Sequence, residues 1–308
     1  MNEPVALVWS SCLFMRYLFL VAGTTLLYLV GVADDLVGVS YRYKFVVQIL
    51  SASFLPLSGL WINDLGGLLG LHAIPAFIGM PLTVFLVVYI TNAINLIDGI
   101  DGLASGLTCI ALGLLIIVCT LVGQWTHALL ASATLGVVIT FFYYNVFSVS
   151  GRKLFMGDAG SLTLGYILSF LILHFWMQQE YWEPFKLNLN MVTISTLFIP
   201  LLDVVRVFYS RVRSGRNPFL PDKNHIHHKL LRTGMRIRTV MITLLMLSLF
   251  LVVANFVLSF YINATFMLLF DLIFWCTSHL VINRAIVKHE KLTGRKWYKT
   301  YIHVPSNK

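Results

Sequence analysis

Charge is scarce in this 308-residue chain, and negative charge is scarcest. Asp, Glu, Lys and Arg make up 11% of it, and the 13 acids face 22 Lys and Arg. Hydrophobic residues make up 58%, and the mean hydropathy is +0.82. No soluble domain fits that composition. The longest polar stretches are 210–239 and 283–308, so the chain reads as one membrane domain over 1–308. Internal repeats and low-complexity tracts are absent. The four cysteines, Cys12, Cys109, Cys119 and Cys276, all lie in apolar stretches and form no Cys-x-x-Cys pair. They read as small buried hydrophobes, not as a redox or zinc motif. Ahead of Val5–Phe14 there is no basic residue and no small-x-small site, so that segment reads as an extension of the first helix or an interfacial stretch, not a cleavable signal.

What the chain has in abundance is long apolar runs. Runs of about 17–25 residues have the length of membrane helices. Nine are expected: Tyr17–Val32, Phe45–Leu60, Ile78–Ile97, Leu103–Val122, Ala128–Phe147, Leu162–Met177, Val192–Tyr209, Val240–Phe260 and Ala264–Ile282. The fold class is therefore all-α, a polytopic bundle of about nine membrane helices. With the Asp34–Asp35 end of the first span inside, the inside segments are 33–44, 98–102, 148–161, 210–239 and 283–308. All of the Lys and Arg except Arg16 and Lys186 fall there or, like Arg206, within a turn of them. That is a positive-inside pattern. The net charge of +9 is thus a topology signal, and its spread over separate loops argues against nucleic acid as a partner.

The few acids are not scattered. Asp34, Asp35, Asp98, Asp101 and Asp158 each stand where an apolar run ends or the next begins, all on the inside face. An acid at such a depth is expensive without a partner, so it marks a functional site. Adjacent Asp34 and Asp35 repel, so one should have a raised pKa unless a cation lies between them, as suits either a base or a metal ligand. Lys44 follows at the start of the next run. Asn92, Asn95 and Asp98 recur every third residue and share one helix face. Gly99 and Gly102, around Asp101, allow the helix to break and a ligand to approach the backbone. A capping loop would need only one or two of these groups. In Phe155-Met-Gly-Asp158-Ala-Gly-Ser161, glycines leave room beside Asp158 for a metal and phosphate oxygens, and Ser161 is placed to cap the following helix.

The fourth cluster carries His225, His227 and His228 among Arg and Lys. Three histidines in four residues could hold zinc. No cysteine is nearby, however, and the surrounding cations repel a divalent ion, so imidazole and cationic donors suit a diphosphate better. Asp203 and Arg206 stand i, i+3 and are expected to pair. Asp271 lies in the last span without an evident partner. His127, His174 and His279 stand alone and read as structural.

Taken together, the four motifs, in order from Asp34 to Lys229, resemble the polyprenyl-phosphate N-acetylhexosamine-1-phosphate transferases, and the Pro-Asp-Lys-Asn-His-Ile-His-His stretch resembles the O-antigen and teichoic-acid branch. The resemblance implies transfer of N-acetylhexosamine-1-phosphate, GlcNAc-1-phosphate being the commonest, from a UDP-sugar to undecaprenyl phosphate. UMP is released in this first membrane step of envelope polysaccharide synthesis. It implies magnesium, with manganese able to substitute, at Asn95 and Asp158. Asp34, Asp35 and Asp98 are the implied catalytic acids. Asp101 and Phe155 would hold uracil, and Lys44, Asn92, His225, His227 and His228 the rest of the substrates. It further implies a bacterial cytoplasmic membrane, a site facing the cytoplasm and a homodimer. Two more spans precede the Asp-Asp pair in that family, so either the start of this sequence is misplaced or the protein is a form shorter by two spans. A prenyltransferase or alcohol phosphotransferase would show repeated Asp-x-x-x-Asp pairs, which are absent. A secondary transporter would place its charges near the midplane of inverted repeats, not at one face.

Overall fold

The computed structural model describes residues 3–148, 152–177, 188–215 and 224–294, with side chains from Leu13 onward. Eleven helices and one hairpin follow in order: α1 (Glu3–Val37), α2 (Tyr41–Leu57), β1 (Asp64–Leu68), β2 (Leu71–Ala73), α3 (Ala76–Ile97), α4 (Leu103–Leu121), α5 (Trp125–Phe147), α6 (Gly157–Met177), α7 (Leu189–Ser195), α8 (Phe198–Arg213), α9 (Ile226–Leu231), α10 (Ile237–Leu258) and α11 (Ala264–Thr293). The chain is a polytopic helical membrane protein. Each of the nine apolar runs is helical. Seven helices are long and apolar enough to cross a bilayer, and the bent pair α7–α8 makes an eighth. The remaining run is α2, with 17 residues.

α6 is the hub. Of its apolar window 72% is buried, against 17% for α1. Small residues bring its neighbours in close, as helix contacts without a hydrophobic drive require. Gly31 of α1 lies against the Ala159 backbone, and Gly165 of α6 against that of Thr91 in α3, so a Cβ at either glycine would overlap. The Tyr166 hydroxyl donates to the Ser51 carbonyl of α2 at 2.8 Å. Large apolar side chains stay exposed around the periphery, for example Leu29, Phe85 and Val137, as expected where the solvent is lipid.

Between α7 and α8 the axis turns by 70°. Ser195, Thr193 and Thr196 each donate to the carbonyl three residues back, at 2.7, 3.1 and 2.7 Å. Those hydroxyls satisfy carbonyls that the break would leave unpaired. Asp271 finds its partner in Asn255 of α10, whose Nδ2 donates to Oδ1 at 2.8 Å. The hairpin lies between α2 and α3. Leu69 and Gly70, both at positive φ, turn it, and Gly66 and Gly67, also at positive φ, lie where the register of β1 is irregular; the Leu69 N–H bonds the Thr265 hydroxyl of α11 at 2.8 Å. Of the cysteines, read from sequence as buried, Cys119 is buried and Cys109 only half-buried, and the side chain of Cys12 lies outside the described residues. Cys276 is exposed on the flank of α11.

Candidate active site

The end of α1 and the start of α6 meet through Asp35. Its carboxylate accepts the Asp158 N–H at 2.9 Å and the Ala159 N–H at 3.2 Å. It caps α6, where the helix dipole favours an anion. α6 starts at Gly157 (φ 63°), where a Cβ would collide with the Asp35 carboxylate. Ser161 is therefore not the cap expected from sequence. The helix begins four residues earlier, and its hydroxyl bonds the Gly157 carbonyl at 2.9 Å.

The neighbouring acid points elsewhere. Asp34 accepts the Val39 N–H through Oδ1 at 2.6 Å and Lys44 Nζ through Oδ2 at 2.9 Å. The same ammonium contacts Asp158 Oδ2. Lys44 thus bridges α1 and α6 from α2, so each of the adjacent acids has its own partner. Asn95 of α3 completes the junction: its Nδ2 donates to Asp158 Oδ1 and to Ser161 Oγ, both at 2.8 Å.

Asn92 stands one turn back and faces α2. It exchanges amide hydrogen bonds with Gln48 at 2.6 and 3.3 Å, so its polar atoms are engaged between helices. Asp98 terminates α3. Burial, reinforced by the charge of Asp101, pushes its carboxyl up to about 6. Asp101 is half exposed and bonded to Lys153 at 2.5 Å. Asn145 of α5 staples this turn to the segment before α6. It accepts the Gly102 N–H at 2.5 Å and donates to the Leu154 carbonyl at 2.8 Å. Phe155, next in sequence, is 80% exposed.

The histidines arrive on α9. The rings of His225 and His227 are parallel, with centroids 5.8 Å apart, and His228 lies 4.3 Å from His227. His227 packs against Gly99, where a Cβ would overlap its ring, so the fourth motif closes on the second. Burial, followed by the charge of His228, lowers the His227 pKa to about 3, and neither ring nitrogen has a hydrogen-bond partner. It is a neutral imidazole with one N–H to give. His225 is held by Asp203 of α8, whose Oδ2 lies 2.9 Å from Nδ1. Asp203 is 1% exposed and also receives Arg206 Nη2 at 2.7 Å and the Ile226 N–H at 3.1 Å. The expected Asp203–Arg206 pair forms, but it serves to anchor α9.

Three residues escaped the motif reading. Gln48 and Asn145 are buried polar groups within apolar runs, and that depth was the available signal. Asp203 had been read only as a partner of Arg206.

Among the described residues, no three His, Cys, Asp or Glu side chains form a metal cage. The donors at the Lys44 junction are Asp34 Oδ2, Asp158 Oδ2 and the Oδ1 of Asn95, whose amide hydrogens are already used. A few hard oxygens, completed by water and phosphate, suit magnesium.

The sequence profile of glycosyl transferase family 4 matches residues 17–175. Among curated proteins the chain is similar to the undecaprenyl-phosphate alpha-N-acetylglucosaminyl 1-phosphate transferase of Yersinia pestis, 35% identical over 225 residues, which are 71% of this chain and 60% of that protein. The enzyme of the same name from Escherichia coli K12 is 32% identical over 221 residues, 70% and 59% of the two chains. A probable undecaprenyl-phosphate N-acetylglucosaminyl 1-phosphate transferase of Bacillus subtilis 168 is 31% identical over 228 residues, 71% and 60%. The chain spans about three fifths of the length of these relatives. On the profile match, which takes in the Asp34–Asp35, Asn92–Asp101 and Phe155–Asp158 motifs, the chain belongs to glycosyl transferase family 4.

Proposed function

We propose that this protein transfers N-acetylglucosamine-1-phosphate from UDP-GlcNAc to undecaprenyl phosphate, releasing UMP, at the cytoplasmic face of a bacterial inner membrane. The observation that carries the reading is the junction of α1, α2, α3 and α6. There Asp34, Lys44, Asn95 and Asp158 meet within hydrogen-bond reach, and His227 of α9 packs on Gly99, at the loop that follows the helix of Asn95.

Asp34, Asp158 and Asn95 would hold magnesium, which supplies charge neutralisation to a diphosphate. Phosphoryl transfer is governed by position and electrostatics, and the chain provides both. His225, His227 and His228 donate to phosphate oxygens; Asp203 takes Nδ1–H of His225, so that the doubly protonated ring turns Nε2–H to the substrate. The exposed ring of Phe155 stacks on uracil, with Asp101 at its edge. The polyprenyl tail runs along the exposed apolar flank of α1 and α2 at Leu29, Leu36 and Val46, which brings its phosphate to Asp34. That phosphate is already a nucleophile near pH 7, so the acids serve mainly to position. The product feeds envelope polysaccharide synthesis.

The test is incubation of membranes carrying the chain with undecaprenyl phosphate and UDP-[14C]GlcNAc. Labelled lipid and UMP in equal amounts are expected, and both should vanish with EDTA and return with magnesium. Release of UDP in place of UMP would mean that a sugar, not a sugar phosphate, moves, and would overturn the reading.

A further inference from the structure

Lys44 takes one oxygen from each of two acids, and the other oxygen of each acid is already committed. Asp34 Oδ1 accepts the Val39 N–H at 2.6 Å, and Asp158 Oδ1 accepts Asn95 Nδ2 at 2.8 Å. That leaves Asp34 Oδ2 and Asp158 Oδ2, both of which the ammonium contacts. A divalent cation bridging these carboxylates through their oxygens free of other donors would use the same two atoms. The ammonium and the metal cannot share them, because cations within about 4 Å repel strongly where the environment is partly dehydrated. Here it is: the Lys44 side chain is 16% exposed and the two carboxylates 21% and 24%.

We propose that Lys44 is the exchangeable counter-ion of the Asp34–Asp158 pair, displaced when a divalent cation binds and then turned to the phosphate that accompanies it. The proposal rests on the metal reading given above. Lysine suits the role. Its ammonium is a compact point charge on a flexible four-carbon stem, able to leave one anion and meet another a few ångströms away. Without it, two acids in a half-buried junction would stand unneutralised between visits of the metal. Displacing the ammonium also limits the charge change between the two carboxylates to about one unit when the metal binds, where a metal added beside the lysine would change it by about two.

The prediction has an unusual sign. An ordinary binding-site residue weakens every ligand when removed. Removing Lys44 should strengthen metal binding while weakening use of the phosphate substrates. The experiment measures Mn2+ binding to the purified full chain by electron paramagnetic resonance of the free ion, without nucleotide or lipid substrate. Lys44→Gln should bind Mn2+ about tenfold more tightly than the parent, the scale of removing one nearby cation at partly screened distance. Lys44→Arg, which keeps the charge, should bind no more tightly than the parent. The comparison is repeated as Asp34→Asn against Asp34→Asn/Lys44→Gln, a charge-balanced pair that serves if the single variant does not fold. The double variant should again bind more tightly. Equal or weaker Mn2+ binding after loss of Lys44, in the backgrounds that fold, overturns the proposal and leaves the metal reading intact. Absence of Mn2+ binding in every protein, the parent included, overturns the metal reading itself.

Discussion

Replacing Asp203 by Asn keeps its volume and removes its charge. Asp203 collects Arg206 Nε at 3.0 Å and Nη2 at 2.7 Å, His225 Nδ1 at 2.9 Å and the Ile226 N–H at 3.1 Å. Every one of these partners is a donor. An amide offers one acceptor oxygen and one NH2, so at least one donor loses its acceptor. Arg206 gains most from the oxygen, which leaves the NH2 facing His225. The imidazole must then accept at Nδ1, which excludes the doubly protonated ring that gives Nδ1–H to the carboxylate and Nε2–H to a phosphate at once. A lost hydrogen bond to a charged group is worth about 1.5–3 kcal/mol, or roughly ten- to a hundredfold in kcat/KM for the UDP-sugar. Asp203→Ala should do worse. Removing one partner of a buried ion pair costs about 3–5 kcal/mol of stability, so that variant should melt early as well as lose activity. The assay is transfer of labelled GlcNAc-1-phosphate in membranes, with each substrate varied in turn. The loss should fall on UDP-GlcNAc. If kcat/KM for UDP-GlcNAc in Asp203→Asn stays within about twofold of the parent, or the loss is confined to the lipid substrate, the anchoring argument fails.

The remaining expectations follow from other parts of the site. Asp98, held at about 6, is protonated below that pH. Transfer that needs its carboxylate should decline as pH falls through about 6, and Asp98→Asn should abolish that limb of the profile. Its stability effect runs the other way: a raised carboxyl pKa favours the folded state at low pH, and that contribution is lost as pH rises from about 4 to about 6, readable as a falling melting temperature. Asp158→Asn should retain the fold but bind Mn2+ poorly, since an amide is a weak ligand for hard cations. Undiminished Mn2+ affinity would remove it from the metal site. Asn145→Ala leaves the Gly102 N–H and the Leu154 carbonyl unpaired, at about 1–3 kcal/mol each, and should raise KM for the UDP-sugar without touching the lipid. Gly99→Ala puts a methyl into the His227 ring, so its defect and that of His227→Ala should be less than additive in a double-mutant cycle.

The helices were legible because lipid demands a continuous apolar run, and each run announces itself locally. The motif acids were legible for the same reason, as exceptions to that demand. What joins them was not. Asp35 caps a helix that starts 122 residues later at Gly157, Asn145 staples two loops, and Gln48 closes a ring with Asn92 across 44 positions. Periodicity along one helix says nothing about which side chain it meets on another. Asn92 illustrates the limit: its spacing placed it on the Asn95 face, yet its amide is turned to α2. The 70° break after α7 was equally silent, because hydroxyls within the run repaired it without interrupting hydrophobicity. Lys186 and the tail beyond Gly294, which carried part of the positive-inside argument, lie outside the described residues.

The length of α11 bears on how this site meets its lipid. Thirty residues at 1.5 Å each make a rod of about 45 Å, longer than a hydrocarbon layer of about 30 Å, and Arg284, Lys288 and Lys291 all lie in its last third. Cations at such a helix end belong at the headgroups, where they would fix how deep the helix stands. Lys229 of α9 lies 3.4 Å from His279 of the same helix, so the histidines are tied to that depth gauge, while the polyprenyl phosphate floats with the leaflet. In a thicker or thinner bilayer the two would part company vertically, at a modest energy for each ångström of mismatch. Under the proposed reaction, the acyl-chain length of the surrounding phospholipid is therefore a variable of catalysis, acting on the lipid substrate and sparing the nucleotide.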